Sequence, residues 1–416
     1  MSILIKHVLL DGKRTDIYVE GNEIESIGNG GKKDVVVDGR GKAAVPGLIN
    51  AHTHAAMTLL RGLADDMNLQ EWLEKNIWPI EAKMTEDDVF WGSKLACLEM
   101  IKSGTTCFND MYWHLGGTYK ATHEMGIRGV LSSVLIDRFT PEKGNELRRT
   151  VEREVREYGK SPLVRISIGP HAIYTVTEET LRWTKEFSDK NDLLVHFHLS
   201  ETKKEVDDCV KEHGKRPVEY LNDIGFLGEN LVCAHCVWLT QHEMQLLAEN
   251  RVKVAHCPTS NMKLSVGGAL DYRGLRNAGV TVSLGTDGCS SNNSLDMFES
   301  MKFAALLAKM SYNDPTLLSA PEAFRMATQD AAWAMKLNAG EIREGRLADI
   351  VLIDLKKPGL TPMHNLTSNL VYSAHGDCVD TVICDGKVIM EDGRVRGEEE
   401  IVEKAGMVAA DLKVRK

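Results

Sequence analysis

The middle of the chain, from about Val45 to Asn338, alternates short apolar runs with amphipathic helical segments. About eight strand–helix units follow one another here, and such alternation favours a parallel sheet. That number of units fits a (β/α)8 barrel, in which the chemistry lies at the C-terminal ends of the strands. A doubly wound open sheet is the alternative fold, although no Gly-x-Gly-x-x-Gly turn follows the first strand to support it. We therefore expect an α/β protein built on a TIM-type barrel.

Both ends of the chain consist of short apolar runs separated by Gly and Asp, a pattern typical of strands and turns. Near the C-terminus, the segment Val379 to Ile389 predicts a β-hairpin around Asp385-Gly386. Because two β-rich ends flank the barrel, we expect them to pair into one small β-sandwich domain. The predicted division is 1–46 for the first part of the β-domain, 47–344 for the barrel and 345–416 for the second part of the β-domain.

The charge balance and the cysteine content limit which partners and which cellular compartment are expected for this chain. With 50 basic and 60 acidic residues, the net charge is −10, which argues against nucleic acid or an anionic membrane as a partner. No basic segment with an apolar core opens the chain, and no apolar run approaches the roughly 20 residues of a membrane span. The nine cysteines show no framework spacing, so a reducing cytoplasm is the expected compartment.

The first apolar run of the predicted barrel ends in His52-Thr53-His54. Alternate side chains of a strand share one face, so both imidazoles are expected to point to the same side. Two neutral imidazoles at this spacing can bind one metal ion together. The pair alone does not distinguish zinc from iron or copper.

Further polar side chains end the later predicted strands, and a barrel brings all strand ends to one rim. They are His171, His198, Glu201, His235, His256 and Asp287. The chemistry of these groups predicts one ion held by His52, His54, His198 and Asp287, since nitrogen ligands plus a carboxylate and one open position are typical of catalytic zinc. Zinc lowers the pKa of its water to about 7. Asp287 would accept the proton of that water, Glu201 would protonate a ring nitrogen of the substrate, and His235 would hold the attacking hydroxide.

Other histidines and cysteines have simpler interpretations. His196 shares a strand with a proposed ligand but lies deeper, so we predict a packed core histidine. His256 is expected to be structural, and Cys233 and Cys236 to be small apolar strand residues, because a lone Cys-x-x-Cys is a weak metal signal. A binuclear site would need a bridging carboxylated lysine at the end of a middle strand. The segment 164–169 contains no lysine, so one metal ion is expected.

These residues lie in motifs that resemble the amidohydrolase superfamily. Within it, the sequence is similar to the 5-methylthioadenosine/S-adenosylhomocysteine deaminases, including the archaeal 5′-deoxyadenosine deaminase branch. The motifs that carry the resemblance are Pro46-Gly47-Leu48-Ile49-Asn50-Ala51-His52-Thr53-His54, Gly104-Thr105-Thr106, Gly169-Pro170-His171, His196-Phe197-His198-Leu199-Ser200-Glu201, Ala234-His235-Cys236, His256-Cys257-Pro258-Thr259-Ser260-Asn261 and Gly285-Thr286-Asp287-Gly288. The resemblance covers the full length and implies the barrel with a two-part β-domain.

The resemblance also implies a role for each site residue. The implied zinc ligands are His52, His54, His198 and Asp287, the catalytic residues Glu201, His235 and Asp287, and the substrate-binding residues Glu81, His171, Glu201, Asp287 and Trp72. By this resemblance, Glu201 and His171 face the purine and Glu81 holds the ribose hydroxyls. From the residues alone, Glu81 follows a proline near a helix start, where a carboxylate also complements the helix dipole. Trp72 is a candidate pocket wall that could equally be a packing residue of an amphipathic helix.

The activity that the resemblance implies is hydrolytic deamination of adenosines modified at the 5′ position. The candidate substrates are 5′-deoxyadenosine, 5′-methylthioadenosine, S-adenosylhomocysteine and adenosine itself, with Arg138, Arg148 or Arg149 as candidate readers of a substrate carboxylate. Fe²⁺ or Mn²⁺ is the alternative to Zn²⁺, and a homo-oligomer is expected. Two alternatives stay open: a deaminase or dechlorinase of another aromatic ring, such as guanine, cytosine or a triazine, and a scaffold that has lost its metal.

Overall fold

The computed structural model describes residues 1–67 and 69–415. Within these residues the strands, in chain order, are β1 (Ser2–Leu10), β2 (Lys13–Glu20), β3 (Glu23–Ile27), β4 (Val35–Asp38), β5 (Lys42–Pro46), β6 (Leu48–Thr53), β7 (Thr105–Tyr112), β8 (Arg128–Leu135), β9 (Val164–Pro170), β10 (Val195–Leu199), β11 (Leu231–His235), β12 (Lys253–His256), β13 (Val282–Leu284), β14 (Ile350–Asp354), β15 (Val379–Cys384) and β16 (Lys387–Met390).

The α-helices of the described chain are α1 (Leu69–Trp72), α2 (Trp78–Glu81), α3 (Glu86–Lys102), α4 (Leu115–Met125), α5 (Pro141–Tyr158), α6 (Glu178–Asn191), α7 (Lys203–His213), α8 (Pro217–Asp223), α9 (Gln241–Glu249), α10 (Pro258–Lys263), α11 (Tyr272–Ala278), α12 (Met297–Tyr312), α13 (Ala320–Met326), α14 (Gln329–Ala334), α15 (Leu366–Tyr372) and α16 (Glu398–Val414). Short 3₁₀ helices lie at Ala55–Leu60, Pro358–Leu360 and Gly376–Cys378, and a π-helical turn at Leu73–Ile77 joins α1 to α2. Across residues 1–67 and 69–415, no helix has both the length and the apolar composition needed to cross a bilayer.

The parallel strands β6 to β13 form the barrel, each paired with the next one along the chain. At least one helix lies between each two consecutive barrel strands. Strands β6, β7 and β10 to β13 are buried at every residue, as expected for parallel strands that are covered on both faces. Burial on both faces is the reason why these strands appear in the sequence as nearly continuous apolar runs.

The end of the last barrel strand contacts the first strand through the backbone of His52. The N–H groups of Thr286 and Asp287 donate to the His52 carbonyl oxygen at 3.1 and 3.0 Å. Gly285 permits this approach, because a Cβ there would lie 2.8 Å from Cβ of His52. The closure brings Asp287 to the rim directly beside His52.

A second, mixed sheet contains strands from both chain ends, in the order β16-β15-β14-β5-β1-β2-β3 with β4 paired to β1. β5 pairs antiparallel with β14, which joins the N-terminal and C-terminal parts. β15 and β16 form the predicted hairpin, with Asp385 and Gly386 at φ +50° and +68° in the tight turn. The predicted fold class, a (β/α)8 barrel with a small β-domain built from both ends, is confirmed. The exact domain divisions after residues 46 and 344 stay a prediction.

Helix ends follow local sequence signals. α3 starts after a capping box between Thr85 and Asp88. α7 starts after Thr202, whose side chain accepts a backbone N–H of the first turn. α5 starts at Pro141, because proline is well suited to the first turn of a helix. The caps fix where each rim loop ends, and the Thr202 cap lies immediately after one of the predicted catalytic residues.

Candidate active site

The predicted metal ligands converge at the C-terminal end of the barrel. His52 lies in β6 and His54 just beyond it, His198 lies in β10, and Asp287 follows β13. Nε2 of His54 is 3.3 Å from Nε2 of His198 and 3.3 Å from Oδ1 of Asp287. Nε2 of His52 is 3.3 Å from the same carboxylate oxygen. Residues far apart in the sequence therefore present three imidazole nitrogens and one carboxylate to a common point.

The spacing of these donors suits a divalent metal ion. Zinc binds such atoms at about 2.0–2.2 Å, so two ligands at the tetrahedral angle lie about 3.3–3.6 Å apart. Nε2 of His52 is fully buried and forms no well-made hydrogen bond to any described residue, a cost that a bound ion would remove. His235 offers a further nitrogen within 4.8 Å of the donor atoms of His52 and Asp287. The side chains present fit a mononuclear metal centre.

The outer nitrogens of two of these histidines are fixed by backbone carbonyl groups. Nδ1 of His54 donates to the carbonyl of Met111 at 2.6 Å, and Nδ1 of His198 donates to the carbonyl of His171 at 2.9 Å. A carbonyl can only accept, so each ring carries its proton on Nδ1. The lone pair of Nε2 is therefore directed toward the common point, which is the arrangement that metal-binding histidines need.

The Asp287 carboxylate is held by three donors from its own loop and from α10. Its Oδ2 accepts from the hydroxyls of Ser260 and Ser291 at 2.6 and 2.7 Å, and its Oδ1 accepts from the N–H of Gly288 at 2.8 Å. Burial alone would raise the pKa of Asp287, but the imidazoles of His52, His54 and His235 close to its carboxylate hold it well below its usual range. Asp287 is therefore an ionised acceptor in a fixed position.

His235 and Glu201 face each other at the rim. Nδ1 of His235 lies 2.9 Å from Oδ1 of Asn261 and 3.8 Å from Oε1 of Glu201. Burial lowers the pKa of His235, yet the Glu201 and Asp287 carboxylates offset it, so that the pKa is raised overall. Burial raises the pKa of Glu201, which favours its protonated form. The pair thus combines a buried acid with an imidazole of fixed orientation.

A second carboxylate, from Glu205 in α7, holds the backbone of the Glu201 loop. Its two oxygens accept the N–H groups of Ser200 and Glu201 at 2.7 and 2.8 Å. Ser200 has a positive φ of 49°, an unfavourable conformation for a serine, so the turn depends on such external support. Burial raises the pKa of Glu205 to about 7.

A cavity opens above the donor cluster. Aromatic side chains from the segment before α3 and from the end of β7 form its walls: Trp72, Trp78, Tyr112 and Trp113. The Tyr112 hydroxyl donates to Oε1 of Glu81 at 2.8 Å, and burial raises the pKa of Glu81. Nδ1 of His171 lies 2.9 Å from the Thr175 hydroxyl, and the His171 ring borders the same cavity.

An outer cavity adjoins the inner one, and the two share the lining residues Leu69, Leu73, Trp78, Tyr174, Glu201 and Leu264. The predicted arginines lie differently with respect to it. Arg138 borders the outer cavity, with Cζ 5.4 Å from the centre of the Trp78 ring. Arg148 instead donates to Glu179 on α6 at 2.8 Å. Arg149 stays a candidate from the sequence without a described contact to the site.

The structure brings the predicted site residues together around one point. His54, Trp72, Glu81, His171, His198, Glu201, His235 and Asp287 line the inner cavity, and His52 lies buried beneath them. Their roles as ligands, acid or substrate contacts stay predictions. His196, predicted as a core residue, is buried and also contacts His52. His256 is buried as expected, and no described residue hydrogen-bonds its Nδ1.

Sequence reasoning missed several supporting residues. Ser260 and Asn261 are the last two residues of the motif that begins at His256, and the histidine draws attention away from them. Ser260 hydrogen-bonds Asp287, and Asn261 hydrogen-bonds His235. Glu205 was missed because a glutamate in the first turn of a helix is ordinarily a solvated charge. The polar pair of Ser260 and Asn261 at the start of a helix after a barrel strand was a signal that could have found them.

Comparison with known proteins gives four matches: one family model, two relatives in sequence and one crystal structure. A family model described as the amidohydrolase family matches residues 43–389. The chain is 51% identical over 401 residues to 5-methylthioadenosine/S-adenosylhomocysteine deaminase 1 of Archaeoglobus fulgidus, with 95% of each chain covered. It is 48% identical over 420 residues to the 5′-deoxyadenosine deaminase of Methanoregula boonei, with 99% of this chain and 95% of that one covered. A crystal structure of an adenosine deaminase from Xanthomonas campestris with bound zinc matches with a TM-score of 0.95 at 33% identity, over 99% of both chains.

Proposed function

The chain belongs to the amidohydrolase family, and from this premise we propose that it is a metal-dependent hydrolase that deaminates adenosines modified at the 5′ position. The proposed reaction adds water across the C6–N1 bond of the purine and then releases the 6-amino group as ammonia, which leaves the inosine analogue. One arrangement supports the proposal above all. Glu201, His235 and Asp287 lie beside the three clustered imidazoles of His52, His54 and His198. The two relatives named above carry the names of deaminases of such nucleosides.

The proposed metal ligands are His52, His54, His198 and Asp287. We propose Zn²⁺ as the ion, with Fe²⁺ or Mn²⁺ as alternatives, because imidazole and carboxylate donors accept all three. When bound, a divalent ion in such a site supplies a nucleophilic hydroxide at neutral pH and polarises the bond under attack. The chain itself supplies the fixed ligands and the dry, buried surroundings.

The acid and base roles follow from the environments of the two carboxyl groups. Glu201 holds a proton to higher pH than an exposed glutamate, because it is buried, and in the proposed reaction it delivers that proton to N1 of the purine. Asp287 stays ionised, so it accepts a proton from the attacking water and passes it to the departing amine. When ammonia leaves and the C6 carbonyl forms, the remaining hydroxyl proton returns to Glu201, which restores the acid. His235, whose pKa is raised by the Glu201 and Asp287 carboxylates, donates from Nε2 as an imidazolium to the oxygen that develops negative charge at C6, while Asn261 accepts its Nδ1 proton.

The nucleoside would be positioned by groups at the cavity wall. His171 contacts the purine, and Glu81 accepts hydrogen bonds from the ribose hydroxyls while Tyr112 fixes its other oxygen. Trp72 closes the wall beside Glu81. The 5′ substituent is then directed to the outer cavity, where Arg138 could pair with a substrate carboxylate, whereas Arg148 is already paired with Glu179.

The absorbance change from adenine to hypoxanthine tests the proposal directly. Metal-loaded protein is given 5′-deoxyadenosine, 5′-methylthioadenosine, S-adenosylhomocysteine and adenosine in parallel. We expect turnover of at least one, abolished by a chelator and restored by added metal, and the order of rates ranks the 5′ substituents. Metal-loaded protein that turns over none of them would refute the proposed substrate class and favour another aromatic ring.

We also propose that the enzyme works in the cytoplasm as a homo-oligomer. Its nine cysteines are all buried and unpaired, which suits a reducing compartment. Light scattering on the purified protein tests the assembly, and a mass of one chain would contradict it.

A further inference from the structure

The three histidines among the proposed ligands each form a hydrogen bond through Nδ1, but the partner of His52 differs from those of His54 and His198. His54 and His198 donate to backbone carbonyls. Nδ1 of His52 instead lies 2.7 Å from Nε2 of His196, another imidazole. Both rings are almost completely buried, at 0% and 1% exposure, so no water competes for this contact.

The barrel layout explains why these two side chains meet. β6 carries His52, and β10, which carries His196, lies on the opposite side of the eight-stranded ring. Side chains from alternate strands fill one layer of a barrel interior. His196 and His198 share a face of β10, so the outer one reaches the rim while the inner one reaches His52 beneath it.

His196 has no room to act as a ligand through the nitrogen that faces His52. Two nitrogens bound to one zinc ion lie about 3.3 Å apart or more, and the observed 2.7 Å is instead a hydrogen-bond distance. The other nitrogen, Nδ1, lies 3.5 Å from the Ser132 hydroxyl, which in turn bonds the Ser167 hydroxyl at 2.8 Å. His196 is therefore a polar group in the barrel interior with partners at both ring nitrogens.

The position of one proton links this contact to the metal site. His52 can bind an ion through Nε2 only if its proton is on Nδ1. That proton must then be donated to His196, whose Nε2 has to be unprotonated. His196 in turn carries its own proton on Nδ1, where the Ser132 hydroxyl is the acceptor.

We propose that His196 is a positioning residue that holds His52 in its metal-binding tautomer and orientation through the Nδ1–Nε2 hydrogen bond. The inference rests on the metal site of the proposed function. It assigns different tasks to the two histidines of the His196-Phe197-His198 motif, one as ligand and one as support for a ligand on another strand.

The test uses three substitutions of His196 and the affinity for Zn²⁺ alone, measured by competition with a chromophoric chelator. In His196→Gln, the amide oxygen can accept a hydrogen bond near the position of Nε2. In His196→Asn, the side chain is one methylene shorter, so its amide oxygen does not reach that position. In His196→Leu, the side chain has no hydrogen-bond acceptor. We expect His196→Asn and His196→Leu to weaken Zn²⁺ binding about 10–100-fold, as loss of a partner to a ligating histidine typically does. His196→Gln should stay within a few-fold of the parent protein.

Two further readouts separate positioning from a general loss of structure. Far-UV circular dichroism and the melting temperature of the metal-free variants report folding, and if His196→Leu does not fold, the Gln and Asn pair decides. Nitrogen-15 NMR of His52 in the Zn²⁺-loaded parent should show the proton on Nδ1. Equal Zn²⁺ affinity in all folded variants, or a loss in His196→Gln equal to that in His196→Asn, would overturn the inference. A parent protein that binds no Zn²⁺, Fe²⁺ or Mn²⁺ would instead refute the proposed metal site itself.

Discussion

The side-chain oxygen of Asn261 lies 2.9 Å from Nδ1 of His235. An amide oxygen only accepts, so His235 carries a proton on Nδ1 and turns Nε2 toward the inner cavity. Asn261 belongs to α10, whose Ser260 holds Asp287 at the same time. One short helix therefore orients two of the groups proposed to act on the substrate.

Replacing Asn261 is expected to impair catalysis without emptying the metal site. In Asn261→Leu the His235 ring loses its partner and can rotate, so we predict a fall in kcat of about 10–100-fold, by analogy with the loss of other supporting partners of histidine. Bound metal, measured by mass spectrometry of the purified variant, should stay at the parent level. A fall in metal content that matches the fall in kcat would contradict this role.

Glu201 is expected to act on the substrate and not on the metal. Glu201→Gln keeps the shape of the side chain but cannot deliver a proton, so we predict a loss in kcat of about 10²–10⁴-fold. The metal content should be unchanged, because Glu201 is outside the proposed ligand set. Turnover close to that of the parent would refute Glu201 as the proton donor.

Glu81 and Tyr112 are expected to select for the ribose hydroxyls. Tyr112→Phe removes the 2.8 Å hydrogen bond that fixes Glu81, and Glu81→Gln weakens the acceptor itself. Hydrogen bonds to a charged group contribute about 1.5–3 kcal/mol, so kcat/KM for adenosine should fall about tenfold or more in Glu81→Gln and less in Tyr112→Phe. With 2′,3′-dideoxyadenosine both variants should match the parent. Equal losses on the two nucleosides would show that Glu81 has another role.

Glu205 is expected to make the fold less stable as the pH rises toward neutrality. Burial raises its pKa to about 7, from an ordinary value of 4.5 in the unfolded chain. Between pH 4.5 and about 7, Glu205 loses its proton in the unfolded chain but keeps it in the folded protein. The free energy of unfolding is therefore highest below pH 4.5 and falls as the pH approaches 7. The full effect is on the order of 3 kcal/mol, from about 1.4 kcal/mol for each pH unit.

Urea unfolding of the metal-free protein from pH 4.5 to 7 measures this effect. The decline in the free energy of unfolding should be shallower in Glu205→Gln, whereas Glu212→Gln, an exposed position on the same helix, should follow the parent. Parallel curves for the parent and Glu205→Gln would show that Glu205 titrates normally.

The fold could be predicted because its signals are local and repeated. Parallel strands buried on both faces give apolar runs such as Leu231–His235, and the helices between them give amphipathic periods. The rim residues followed from the rule that strand ends meet, which is why the sequence alone places His52, His198 and Asp287 together. The hairpin at Asp385-Gly386 was predictable for the same local reason.

The contacts of His196, Trp78 and Tyr112 could not be predicted, because the partners of these residues are set by three-dimensional distance alone. His196 has the sequence signature of a buried strand residue, and its contact with His52 depends on two strands that face each other across the barrel. Part of the aromatic wall, around Trp78, lies beside the π-helical turn that joins α1 to α2. In such an irregular segment, the spacing of apolar residues in the sequence does not predict which way a side chain points. Tyr112 has the pattern of an ordinary strand residue, although the end of β7 turns it toward Glu81.

The central claim is that one divalent ion held by His52, His54, His198 and Asp287 is needed to deaminate a 5′-modified adenosine. The most direct measurement is a titration of metal-stripped protein with Zn²⁺, in which bound metal and the rate of 5′-deoxyadenosine deamination are followed together. The account predicts no activity in the stripped protein and a linear rise in rate that ends at one ion for each chain. Full activity without metal, or no activity toward any of the four nucleosides with one ion bound, would contradict it.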